Sequence, residues 1–209
     1  MSLNEVYKIY LIGIGGQGTV KTATIIGEAA MDQGLNVVMS EVHGMAQRGG
    51  TVITEVKIGK AESPLIEKHS ADMILSFEPA ELLRVLDKIN RETYVITSTT
   101  EIIPFTVSLG ISEYPDLDQL FSQLNKKINH LYQINAVKLA EEAGHIITAN
   151  IVLLGIASSV DGFPVKKEAI LESIGKNVPA SSLEMNLRAF QKGYDYYPAT
   201  SSKVKKVKP

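Results

Sequence analysis

Short apolar runs alternate with helical patterns along this chain. That alternation predicts an α/β fold of three layers, Rossmann-like, with a mostly parallel sheet and extra C-terminal helices. Three observations carry the expectation. Tyr7 to Ile12 and Met73 to Phe77 are near-continuous apolar runs, the pattern of strands buried on both faces. Gly13-Ile14-Gly15-Gly16-Gln17-Gly18 follows the first run directly and opens a helical pattern from Thr19 to Gln33. A second glycine-rich stretch, Glu41 to Gly50, starts at the end of the expected second strand. Both glycine loops therefore belong to the carboxyl edge of the sheet, where ligands sit in such folds.

The elements follow in order. In the first helix Ala23, Gly27 and Ala30 share a face of small residues that lets the helix lie close to the sheet, and Gly34 ends it at the usual C′ position. Leu35 to Met39 completes a βαβ unit. Thr51 to Ile58 alternates, with Val52, Thr54, Val56 and Ile58 on one face and Ile53, Glu55 and Lys57 on the other, which predicts a strand with one wetter face near a sheet edge. Pro79 opens a helix whose stripe is Leu82, Leu86 and Ile89. Tyr94 to Thr97 is the next strand, and Ser98 to Pro115, with Pro104, Gly110 and Pro115, reads as irregular or weakly extended.

Leu117 to Lys127 is an amphipathic helix and His130 to Ile134 a further strand. Asn135 caps a helix that runs to Gly144, and Asn150 caps another, Ile151 to Val160, apolar on nearly every side and hence deeply buried, within this chain or at a subunit contact. Lys166 to Lys176 forms a shorter helix, and Leu183, Leu187, Phe190 and Tyr194 mark a last one. Residues 1–197 are expected to form a single domain. Residues 198–209, with Lys203, Lys205, Lys206 and Lys208 and little to bury, are expected to be a disordered basic tail.

Composition narrows the chemistry. A net charge of −2 over 209 residues supplies no basic field for nucleic acid. The chain has no cysteine, so it offers no disulfide, thiolate zinc site or iron–sulfur ligation of its own. Apolar runs such as Ile151 to Ala157 fall far below the ~20 residues that span a bilayer, and the expectation is a cytoplasmic protein with no membrane partner. The four histidines, His43, His69, His130 and His145, lack metal-ligand spacing, so no metal site is expected. No nucleophile elbow or Ser/His/Asp arrangement stands out, and no catalytic residue is expected in this chain.

The candidate binding or interface residues are Gly13, Gly15, Gly16, Gln17 and Gly18 in the first loop, with Glu41, His43, Gly44, Gln47, Arg48, Gly49 and Gly50 in the second. Gly13, Gly15 and Gly18 fit a dinucleotide fingerprint, and Glu41 stands roughly where a ribose-binding acid belongs. From the residues alone three readings stay open: a nicotinamide or flavin dinucleotide, another phosphate-bearing ligand, or a turn that binds nothing. Gln17 is polar where that fingerprint does not require it. Arg48 has a planar fork suited to carboxylate or phosphate, and the alternative is a surface pair with Glu41 or Glu55. Met45 in a glycine loop is poor surface chemistry unless something covers it. Lys21 could add charge for a phosphate or be solvated.

Taken together, the GxGGQG loop and the second loop, His43-Gly44-Met45-Ala46-Gln47-Arg48-Gly49-Gly50, closely resemble the gamma-type subunit of 2-oxoacid:ferredoxin oxidoreductases. The nearest branch resembles the beta subunit of indolepyruvate:ferredoxin oxidoreductase. The likeness continues through Asn150 to Gly155 and Glu184 to Gly193, and so spans almost the whole chain. It implies a complex that oxidatively decarboxylates 2-oxo acids to acyl-coenzyme A and sends electrons through iron–sulfur clusters to ferredoxin. Thiamine diphosphate and the clusters are expected in partner subunits, with no cofactor in this chain, which has no Gly-Asp-Gly thiamine signature. This chain is then expected to form one wall of the coenzyme A and active-site region and to be inactive alone. A dinucleotide-binding protein and a purely structural assembly subunit remain as alternatives.

Overall fold

A computed structural model describes residues 5–44 and 50–204 of the chain. Six strands build one sheet: β1 (Tyr7–Ile14), β2 (Val37–His43), β3 (Thr51–Ile58), β4 (Met73–Ser76), β5 (Tyr94–Ser98) and β6 (His130–Ile134). Their spatial order is β2-β3-β1-β4-β5-β6. β1, β4, β5 and β6 pair in parallel, and β3 runs antiparallel to both β1 and β2.

Alternate side chains of the central strands feed two cores, which makes the three layers. Ile9, Leu11, Met73, Leu75 and Ile96 face helices α1 (Thr19–Asp32), α4 (Ala136–Ala143), α5 (Ala149–Ser159), α6 (Lys167–Asn177) and α7 (Leu183–Val204). Tyr10, Ile12, Ile74 and Val95 face the other layer, where Leu82, Val85 and helix α3 (Leu117–Lys127) pack through Leu120, Phe121 and Leu124. No helix of the described residues is long and apolar enough to cross a membrane.

α5 is buried along its length, as its all-round apolar sequence predicts. It crosses α7 at two glycines. A Cβ on Gly155 would lie 2.2 Å from the Phe190 carbonyl oxygen, and one on Gly193 would lie 2.0 Å from that of Val152. Nothing larger than glycine lets the two backbones approach so closely.

Several elements differ from expectation. β2 extends to His43 and is separated from β1 by β3, so the first two strands of the βαβ unit are not neighbours. The hairpin between β2 and β3 inserts the third strand between them. The sheet edge is therefore β2. Nor is the Glu55 and Lys57 face of β3 wet: these residues are 7% and 5% exposed. The segment after β3 folds over them, Glu55 accepting from the Ile66 N–H and Lys57 pairing with Glu67 at 3.1 Å.

The helix after Pro79 is a 3-10 helix, Pro79–Val85, and stops short of Ile89. Its buried residues, Pro79, Leu82 and Val85, recur at the three-residue period of that helix. The Asp87 and Lys88 carbonyls accept instead from the N–H groups of His69 and Ala71. Within the stretch read as irregular there is one short helix, α2 (Phe105–Ser108). Asn150 lies inside α5 rather than at its cap, and its amide donates to the Thr22 hydroxyl at 3.3 Å. α7 continues to Val204, past the boundary expected at residue 198; residues 205–209 lie outside the described part.

Candidate functional site at the carboxyl edge

The first glycine loop carries the chain from β1 to α1 in four residues. Gly16 and Gly18 have φ of 100° and 81°, where only glycine is unstrained. Gly13 is confined differently: a Cβ there would lie 2.9 Å from both Phe77 Cβ and the Thr19 hydroxyl oxygen. The side chain of Gln17 folds back into the loop. Its Oε1 accepts from the Ile14 N–H at 2.8 Å, and its Nε2 donates to the Phe77 carbonyl at 2.9 Å. One amide thus ties the end of β1 to the end of β4.

The two glycine loops meet. The Gly15 N–H donates to the Gly50 carbonyl at 2.9 Å, and the Gly44 N–H closes the neck of the β2–β3 hairpin on the Thr51 carbonyl at 2.8 Å. Glu41 and His43 are on β2, two residues apart on one face, with side chains 3.3 Å from each other. Gln47, Arg48 and Gly49, with Met45, lie outside the described residues.

This geometry bears on the phosphate reading. Three donors of the first loop already have partners inside the protein: the Ile14 N–H on Gln17, the Gly15 N–H on Gly50, and the Gln17 N–H on the Ile14 carbonyl at 3.2 Å. With β3 between β1 and β2, Glu41 stands two strand spacings from β1, roughly 10 Å. A ribose-binding acid needs the strand beside the loop. Of the two carboxylates considered for Arg48, Glu41 is beside His43 and Glu55 is buried on Ile66. The dinucleotide reading finds no support here.

Two clefts open on the loop. One, of about 400 Å³, lies across the carboxyl ends of β1, β4, β5 and β6. Its walls are largely apolar, from Phe77, Ile102, Ala149 and Leu153, with polar points at Gln17, Ser98, Thr100, His145 and Asn150. The other, of about 550 Å³, runs between the start of α1 and helices α6 and α7, lined by Lys21, Asn177, Ser181 and Asn186. Gly16, Gln17, His145, Ile147 and Asn150 line both, so the two are continuous. Exposed apolar side chains rim this edge: Ile102, Ile103, Ile146 and Ile147, the last 71% exposed.

On the far side of the loops a wider groove of about 1020 Å³ includes Ile14, Gly50, Glu78 and Tyr114. Glu78, two residues past the end of β4, is 2% exposed. It accepts from the Tyr114 hydroxyl at 2.5 Å and from the Glu81 N–H at 3.1 Å. Burial pushes its carboxyl above the ordinary carboxylate value, against the pull of those hydrogen bonds. Burial also raises the Tyr114 phenol, and the bond to Glu78 adds to it. The pair fastens the chain after β5 to the glycine edge.

Sequence reasoning missed the wall made by His145, Ile146, Ile147 and Asn150. The adjacent isoleucines beside a histidine, outside any periodic pattern, were the available signal. Among the described residues no group of histidines and carboxylates could hold a metal ion.

The chain is similar to known proteins over nearly its whole length. The sequence profile of the pyruvate ferredoxin/flavodoxin oxidoreductase family matches residues 8–196. The indolepyruvate oxidoreductase subunit IorB of Methanothermobacter thermautotrophicus is 45% identical over 188 residues, which is 90% of this chain and 96% of that protein. The subunit of the same name from Archaeoglobus fulgidus is 40% identical, over 90% of this chain and 93% of its own. Among solved structures, the gamma subunit of a keto/oxoacid ferredoxin oxidoreductase from Geobacter sulfurreducens superposes with a TM-score of 0.68 at 25% identity, covering 92% of this chain and 99% of that one. The matched span includes both glycine loops and both helices of the α5–α7 crossing, and this chain belongs to the pyruvate ferredoxin/flavodoxin oxidoreductase family.

Proposed function

We propose that the chain is the gamma-type subunit of a cytoplasmic 2-oxoacid:ferredoxin oxidoreductase of indolepyruvate type, a single domain that is inactive alone. The assembled complex oxidatively decarboxylates a 2-oxo acid, transfers the acyl group to coenzyme A and passes electrons to ferredoxin. Thiamine diphosphate, held by a partner subunit, supplies the electron sink for decarboxylation. The iron–sulfur clusters also belong to partner chains, since a chain without cysteine lacks the thiolates that ligate them.

One observation carries the assignment of this chain's part. Two glycine loops are hydrogen-bonded to each other beside an apolar cleft whose rim leaves Ile102, Ile146 and Ile147 exposed. Contiguous apolar surface of this kind is covered by a partner in an assembly. The edge therefore serves as a wall that another subunit completes. Coenzyme A suits the two continuous clefts. The apolar walls at Phe77, Ala149 and Leu153 would take its uncharged arm, and Lys21 beside the amino end of α1 would take a phosphate.

Reconstitution tests the proposal. The purified chain, mixed with a thiamine- and cluster-bearing partner subunit, is expected to restore ferredoxin reduction that requires both a 2-oxo acid and coenzyme A. Arg48→Ala is expected to leave the chain folded and to lower that activity or its response to coenzyme A. Failure to restore activity, together with NAD(H) or flavin binding by the isolated chain at about micromolar affinity, would favour the dinucleotide reading instead.

A further inference from the structure

At the opposite edge of the sheet, by the amino ends of β4, β5 and β6, α3 and the turn after the 3-10 helix leave a pocket of about 270 Å³. Its floor is apolar: Ile89, Leu120, Leu124 and Ile128 are all buried. Arg91 and Lys127 line it from its exposed side. Neither has a side-chain hydrogen bond or ion pair among the described residues. The carboxylate next in sequence, Glu92, is engaged by Asn129 at 2.8 Å and by His130 at 3.8 Å.

Asn90, Gln123 and His69 complete the polar lining, and His69, with φ of 55°, is the sole non-glycine residue of positive φ among those described. That conformation is uncommon outside glycine, and surrounding bonds enforce it. The His69 N–H donates to the Asp87 carbonyl at 2.8 Å, and its own carbonyl accepts from the Asn90 amide at 3.2 Å. Its ring Nδ1 lies 3.0 Å from the Ile89 carbonyl, which can only accept, so Nδ1 carries the proton. The imidazole is thus held in one orientation at the pocket.

We propose that this pocket binds a small organic monocarboxylate with an apolar body. The body covers the floor of Leu120, Leu124 and Ile128. The carboxylate meets Arg91, whose planar fork matches it, and Lys127. The volume is at the small end of ligand pockets and admits a short chain or single ring. β4, four residues long, separates this pocket from the carboxyl-edge clefts by about 13 Å, so the site is distinct from the proposed coenzyme A wall.

Hexanoate is the probe and hexanamide its neutral counterpart, each titrated into the full chain by calorimetry and by amide NMR shifts. Hexanoate is expected to bind saturably with Kd of about 1 mM, with shifts centred on His69, Arg91 and Gln123 to Ile128. Hexanamide is expected to bind about tenfold more weakly, as is hexanoate to the double variant Arg91→Ala with Lys127→Ala. Absence of saturation up to about 0.1 M overturns the proposal, as do shifts centred on the carboxyl edge or equal binding of the two probes. If the double variant does not fold, the comparison of probes on the unaltered chain decides.

Discussion

The side-chain amide of Gln17 donates to the Phe77 carbonyl at 2.9 Å, while its oxygen accepts from the Ile14 N–H at 2.8 Å. This bridge gives a physical role to Gln17, which is polar where the dinucleotide fingerprint does not require it. The loop is braced from within, and the brace spans the ends of β1 and β4.

Gln17→Glu tests the brace. The substituted carboxylate would still accept from Ile14 but would set an oxygen against the Phe77 carbonyl. A loss of about 1–3 kcal/mol is expected at neutral pH, measured by denaturant unfolding. The loss should shrink at low pH, where a protonated carboxyl can donate to Phe77. A variant as stable as the parent at neutral pH would show the brace to be dispensable.

The α5–α7 crossing predicts a larger effect with a different cause. Gly155→Ala sets a methyl group against the backbone of α7, where a flexible side chain cannot move aside. Destabilisation of about 2–4 kcal/mol is expected, read as a lowered Tm of the isolated chain. Gly193→Ala should behave alike, and the double variant should cost less than the sum because both changes push the same two helices apart.

These glycines also show how much was legible in the sequence. Gly155 and Gly193 fell within the resemblance, yet no periodicity pairs residues from two helices, so their contact needed the fold. The buried strands were readable because continuous apolar runs leave no wet face. The insertion of β3 between β1 and β2 was not readable, because strand order depends on the β2–β3 hairpin and not on periodicity within a strand. Glu55 and Lys57 were read as a wet face because alternation reports polarity and not what covers it. In the candidate site, both loops and their convergence were legible. The wall at His145 to Asn150 was not, because it is built from a three-residue 3-10 helix, Ile146–Thr148, and the first turn of α5, a stretch too short to show a period.

Acid should expose the cover over β3. The Glu67 carboxyl is held down from its ordinary 4.5 to about 2, first by its own backbone N–H and then by the ammonium groups of Lys8 and Lys57. A carboxylate whose pKa is depressed in the folded state stabilises it fully above the unfolded value, and that stabilisation is lost as pH falls from about 4.5 through about 2. Unfolding midpoints measured across that window should fall less steeply for Glu67→Gln than for the parent. Because Glu67 is largely exposed, the difference should diminish at high salt.

A glycine edge that is a wall completed by another subunit must lose solvent on assembly. Hydrogen–deuterium exchange of the chain alone and in the reconstituted complex tests it most directly. Slowed exchange is expected on assembly at Gly15 to Thr19, Val42 to Gly44, Gly50 and Ile146 to Asn150. Unchanged exchange at those amides, with protection confined to the opposite edge of the sheet, would contradict it.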